Sequence, residues 1–174
     1  MRLLFTMDKK DYDDTMPRFV RPSVRGIILM DGKVAMVHSL KYDYYKFPGG
    51  GIEPMEDHAR TLIREVGEET GLQVLPESIQ PYGRVFRAQR GERGDVLIQD
   101  NFYYFCHVAQ NRSITHLDAY EQEERFTLEY VTPSHAMDTN RIAMEGQLAA
   151  DPVYAAMAER ELLVLQLLTE EKYV

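Results

Sequence analysis

Between residues 49 and 72, three consecutive glycines lead straight into a segment of helical period that carries three glutamates on one side. No other stretch constrains the fold so tightly. From about Asp57 the residues Ala59, Leu62, Ile63, Val66 and Thr70 recur at helical spacing and predict one apolar face. Gly71 stands where a left-handed C-cap belongs. At about 100° per residue, Glu65, Glu68 and Glu69 gather on another part of the helix surface. Such a helix can pack on a sheet and still present three carboxylates together. Like charges this close repel one another. Arg60 and Arg64 offset only part of that charge, with Arg64 placed to pair with Glu68 at i+4. The remaining negative charge suits a hard divalent cation such as Mg²⁺, which prefers carboxylate, carbonyl and water oxygens. Gly49, Gly50 and Gly51 let the backbone come close to an ion or a phosphate. Glu56 stands at the helix start, where a carboxylate interacts well with the dipole and can also serve as a cap.

The segment resembles the Nudix box, G-x5-E-x7-R-E-U-x-E-E-x-G-U, where U is a bulky aliphatic residue. Gly50, Glu56, Arg64, Glu65, Val66, Glu68, Glu69, Gly71 and Leu72 occupy all nine defined positions over residues 50–72. The preceding Phe47-Pro48-Gly49 is similar to the usual approach to the box. The resemblance implies an α/β (α+β) fold, an α/β/α sandwich with a mixed central sheet flanked by helices. It implies Mg²⁺-dependent hydrolysis of a diphosphate linkage in a nucleoside diphosphate joined to a moiety X, with Mn²⁺ as a possible substitute. Glu65, Glu68 and Glu69 would hold the metal, aided by Glu56 and the Gly49 carbonyl. Arg64 would orient a glutamate of the cluster. The reaction also needs a general base. Glu68 is the choice within the box. Outside it, the run Glu121, Glu123, Glu124 ahead of a strand is the natural source, and Glu124 is preferred, although a solvated loop explains each of the three as well. Gly67 falls on an unconstrained position, costs about 1 kcal/mol of helix propensity, and has no functional account.

The rest of the chain reads as one domain over residues 1–174, without repeats or a Gly/Ser linker. Residues 1–6 suit a short edge strand and residues 8–17 a polar loop. Asp31-Gly32 between two β-branched runs predicts a type I′ hairpin. Residues 80–88 and 95–108 alternate as strands around a polar tip, and residues 124–131 form a further strand. A short helix starts at Pro133-Ser134. Asp151-Pro152 opens a helix running to about Leu168. That helix is apolar on more than one face, which fits either a central position in the monomer or a subunit contact. A homodimer is the favoured assembly on this ground.

Arg84, Arg87, Arg90 and Arg93 share one strand-and-turn stretch. Arg84 and Arg87 are the candidates to clamp an acidic part of X, against the alternative of a charged tip that keeps a sheet edge soluble. Of the tyrosines before the box (Tyr42, Tyr44 and Tyr45), Tyr45 is the candidate to stack on a base, and core packing is its alternative. The five histidines show no paired metal spacing, and Cys106 reads as a small core residue.

The net charge is −8, from 28 acidic against 20 basic residues, and such a surface does not steer nucleic acid. No apolar run approaches the ~20 residues that span a bilayer. The N-terminus lacks the features of a secretory signal, and one cysteine allows no internal disulfide. A cytoplasmic location is therefore expected, and the resemblance adds an enzyme with a small nucleotide substrate. Two other readings are a non-catalytic sensor of a nucleotide metabolite and a hydrolase of RNA 5′ ends.

Overall fold

The computed structural model describes residues 1–174. The predicted hairpin forms as β3 (Ser23–Ile27) and β4 (Leu29–Met30) turn into β5 (Lys33–Ser39), with Met30 paired to Lys33. Asp31 and Gly32 both take positive φ, +50° and +73°, as the tight turn requires. β5 also pairs with β6 (Tyr44–Lys46) and β11 (Phe126–Val131), both antiparallel. The long hairpin is β8 (Gln80–Arg90) and β9 (Val96–Phe105). β1 (Leu3–Asp8) lies parallel to β8 at the sheet edge, and β2 (Arg18–Val20) and β3 lie parallel to β9. Hydrogen bonding thus divides the strands into a mixed five-stranded sheet, an antiparallel four-stranded sheet, and a two-stranded ribbon of β7 (Leu72–Val74) with β10 (Val108–Arg112). The expected mixed sheet is present but is joined by two smaller ones.

Helices cover the strands on both sides. β5 shows why both faces must be covered. Val34 and Met36 point into one apolar cluster while Ala35, between them, points into the other. Period-two alternation with every position apolar demands cover on each face. On one side lies α1 (His58–Thr70), whose Leu62 and Val66 pack with Val24, Ile28 and Cys106. Each fully buried side chain of that size contributes about 1.5–3 kcal/mol. Asp57 caps α1 by accepting from the Arg60 amide at 2.8 Å, and Gly71 closes it at φ +71°. Glu56 therefore stands outside the helix and is not its cap. The apolar stripe is narrower than its spacing suggested, because Ala59 is exposed.

On the other side α3 (Pro133–Glu145) and α4 (Pro152–Glu170) pack on each other and on the sheets. α3 runs for 13 residues, longer than the short helix expected there. Ala156, Val164, Leu165 and Leu168 of α4 enter the main cluster with Ile27, Val85 and Tyr103. Ala158 enters a separate one with Tyr44, Ala143 and Leu148. Much of the second apolar face of α4 is thus covered within one chain, while Leu162, Leu163 and Leu167 stay half-buried. The acidic run at 121–124 is not a solvated loop. It lies in α2 (Ala119–Glu124), capped by a reciprocal pair of Asp118 and Glu121.

Candidate active site

The glycine loop before α1 is held to the edge of β3 that faces away from β9. The Val24 amide donates to Gly50 O at 3.0 Å, and the Gly26 amide to Pro48 O at 2.8 Å. Gly49 sits at φ +137°, and a Cβ there would run into the backbone carbonyl of Val24. A Cβ on Gly50 would strike the carboxylate of Glu65. These two positions therefore require glycine, one to dock the loop and one to admit a carboxylate against it.

Arg64 is the hub of the carboxylate cluster. Its Nε donates to Glu56 Oε1 at 3.0 Å and its Nη2 to Glu56 Oε2 at 2.9 Å. Its Nη1 reaches Glu65 Oε1 at 2.8 Å and Glu68 Oε2 at 3.0 Å. The guanidinium beside Glu56 holds that carboxyl at about 2, well below its usual range. Burial pushes Glu65 up, opposed by Arg64. Glu68 is the most exposed of the three and has Arg64 as its one polar partner.

Glu69 stands apart from this group. It is fully buried, pairs with Lys46, and accepts from the Gly49 amide at 2.8 Å. Burial pushes its carboxyl up to about 7. Lys46 and Arg25 pull against that rise, and the charge of Glu121 adds to it. The Gly49 carbonyl, expected to face a metal, accepts from the buried Arg25. As the side chains stand, no three acidic, histidine or cysteine groups are gathered closely enough to close on an ion. The donors nevertheless fit a hard cation. Glu65 lies in the space that a side chain at Gly50 would fill, Glu56 and Glu68 share its arginine, and all three offer carboxylate oxygen.

The loop opens onto a cleft of about 400 Å³ that is lined by Lys46, Gly49, Gly50, Gly51, Arg87 and Glu124 among others. Six lysines and arginines line it against three acids, in a protein of net charge −8. Of the predicted substrate residues, Arg87 lies in this lining. Arg84 does not, because three residues along a strand reverse the face. It pairs with Asp100 at the surface instead. Tyr45 points away from the cleft, stacked on His38 at 4.3 Å between ring centroids, with its hydroxyl on Glu129 at 2.8 Å. Of the three tyrosines before the box, the one that lines the cleft is Tyr44, the neighbour of Tyr45 on the opposite face of β6.

Glu124 is buried and accepts from three hydroxyls, Ser39 at 2.8 Å, Tyr44 at 3.0 Å and Tyr154 at 2.7 Å. A carboxylate held this way is a fixed post for two cleft tyrosines, not a base free to take a proton. Glu121 is the member of the run whose charge bears on a box carboxylate, Glu69. It is itself tied to the Asp118 amide at 2.9 Å and the Tyr120 hydroxyl at 2.8 Å.

Sequence reasoning missed Lys46, Arg25 and Arg160. A signal for each was present: Lys46 and Arg25 interrupt otherwise apolar strands, and Arg160-Glu161 interrupts an apolar helix. A charge at a core position is rarely left without a task.

Comparison with known proteins bears on the same region. A model of the NUDIX domain matches residues 20–151, well over half of the chain. A protein named RNA pyrophosphohydrolase from Xylella fastidiosa (strain 9a5c) is 32% identical over 120 residues, which is 62% of each chain. Its namesake from Stenotrophomonas maltophilia (strain K279a) is 32% identical over 120 residues, 62% of this chain and 57% of that one. The match thus spans about three fifths of the length of these curated relatives. A NUDIX hydrolase from Nitrosomonas europaea superposes with a TM-score of 0.52 at 20% identity, over 71% of this chain and 79% of its own. The E. coli ORF135 protein gives 0.50 at 18% identity, over 87% and 93%. These two show a shared fold. No helix is long and apolar enough to cross a membrane. Because the matched region takes in the glycine loop, α1, both long strands and α2, the chain belongs to the Nudix family.

Proposed function

We propose that this chain is a divalent-metal-dependent hydrolase of a diphosphate linkage in a nucleoside diphosphate joined to a moiety X. One observation carries the reading: Arg64 draws Glu56, Glu65 and Glu68 together against Gly50, and the glycine loop they abut lines a cleft in which lysines and arginines outnumber acids. Glu56, Glu65 and Glu68 would hold Mg²⁺, for which Mn²⁺ can substitute. When bound, the cation supplies neutralisation of phosphate oxygens and acidifies water near it.

The protein's own groups do the rest. Arg64 keeps the carboxylates oriented. Glu68 is the freest of them and takes the proton of the attacking water. The water oxygen bonds to phosphorus as the bridging phosphorus–oxygen bond breaks in line, and the departing phosphate carries the electron pair. Lys46 faces the cleft beside the loop and offsets charge on the phosphates.

A second reading has one support of its own. The curated relatives are named RNA pyrophosphohydrolases, and a triphosphorylated RNA 5′ end offers the same kind of linkage.

The test is phosphate release, with Mg²⁺ or Mn²⁺, from a panel of nucleoside diphosphate derivatives and a short 5′-triphosphorylated RNA. Wild type and Glu68→Gln would be compared. Turnover of one class, lost with EDTA and reduced about 10²–10⁴-fold in the variant, is expected. Tight metal-dependent binding of a compound that wild type never turns over would replace the enzyme with a sensor.

A further inference from the structure

The face of the five-stranded sheet beneath α4 changes character along its length. At one end it is apolar, with Ile27, Val85 and Tyr103. Two residues further along each strand it becomes Arg25, Asn101 and Arg87, staggered across β3, β9 and β8: Arg25 lies opposite Tyr103, Asn101 opposite Val85, and Arg87 opposite Gln99. Arg160 of α4 comes down onto the same patch and donates to Asn101 Oδ1, which also accepts from Ser23 at 2.7 Å. All three arginines are at least nine-tenths buried, and all three line the cleft.

Their charges are unequally answered. Arg160 has Glu161, whose other oxygen accepts from Tyr103 at 3.0 Å. Arg87 has only neutral acceptors: Gln89 at 2.9 Å, Gln99 at 3.4 Å and the Val153 carbonyl at 2.7 Å. Arg25 bonds to the Gly49 carbonyl, and its Nε has no partner at all. The Nε of Arg160 is likewise unpartnered and buried. Burial, then the charge of Arg160, brings the Arg87 guanidinium down to about 9, although Glu161 and Asp151 pull it upward without bonding to it. Neutral acceptors orient these groups without cancelling them, and a buried cation with no directly bonded counter-charge is costly. A structural core has no use for that arrangement, but an anion arriving from the cleft relieves it.

We infer that Arg87, together with Arg25 and Arg160, forms a subsite for an anionic group of the substrate beyond the scissile diphosphate, so that X bears a further phosphate or carboxylate. The inference rests on the hydrolase reading for its biological sense but not for its test. The subsite selects against a neutral X such as a plain sugar, because the guanidinium groups would then be covered without compensation.

The test is calorimetric titration in EDTA, with inorganic pyrophosphate and inorganic triphosphate as probes, on wild type, Arg87→Gln and Val153→Glu. Val153 is half-buried beside Arg87, so glutamate there tolerates the fold and supplies the missing carboxylate from within. Folding of each variant would be verified by circular dichroism. Wild type is expected to bind triphosphate about tenfold or more tighter than pyrophosphate, and both variants to lose most of that ratio. Should Arg87→Gln fail to fold, Val153→Glu decides alone. Equal binding of both probes by wild type, or a ratio that survives in every folded variant, overturns the subsite. If no compound of the hydrolysis panel is turned over while the ratio and its loss persist, the subsite stands and the hydrolase reading falls. Turnover without any ratio has the opposite meaning.

Discussion

Glu124 and Glu68 are both glutamates of a candidate catalytic set, yet their surroundings assign them different work. Three hydroxyls hold Glu124, and removing it leaves them buried without an acceptor. Glu124→Ala should therefore cost about 1–3 kcal/mol of stability, read as a lower midpoint in urea. Glu68→Gln should leave that midpoint nearly unchanged and remove most of kcat. An equally stable Glu124→Ala with kcat abolished would reverse the two roles. The sequence supplied both residues but not this distinction, because hydroxyl donors at positions 39, 44 and 154 come together only in three dimensions. The same holds for the two tyrosines of β6. Composition marked an aromatic stretch, and a one-residue difference in strand phase decided that Tyr44, not Tyr45, faces the cleft.

At the scale of elements, α1 and its approach loop were the most legible, because every capping and packing position there depends on neighbours close in sequence. Gly67 was the exception, and its surroundings give a simple account. A Cβ there would meet only Leu72 O, at 3.8 Å. Gly67→Ala should stabilise by up to about 1 kcal/mol, raising Tm by about 2–4 °C. Gly50→Ala should instead displace Glu65 and abolish turnover while the protein still unfolds cooperatively. Thermal scans paired with the phosphate-release assay separate the two cases. α2 was hidden for a physical reason. A helix of six residues has too few positions to show a period, and its acids look solvated until their partners are known. The ribbon of β7 and β10 was missed similarly, since its strands of three and five residues come from distant parts of the chain.

For the whole molecule, α4 ties the layers together. It supplies apolar side chains to two of the three clusters and a buried ion pair besides. Arg160→Met alone should cost about 3–5 kcal/mol, because Glu161 is left buried and unpaired. The double change Arg160→Met with Glu161→Met should be much milder, and a urea titration of both proteins checks the order. A chain ended after Asp151 should lose its cooperative transition, although the family match itself ends there. The far end of the cleft is thus built by a helix outside the region that carries the box. The carboxylates of α1 and this wall of the cleft thus lie on separate stretches of chain. If that end holds an anionic part of the substrate, substitutions at Val153, Met157 or Arg160 should change what it accepts while every carboxylate of α1 stays in place.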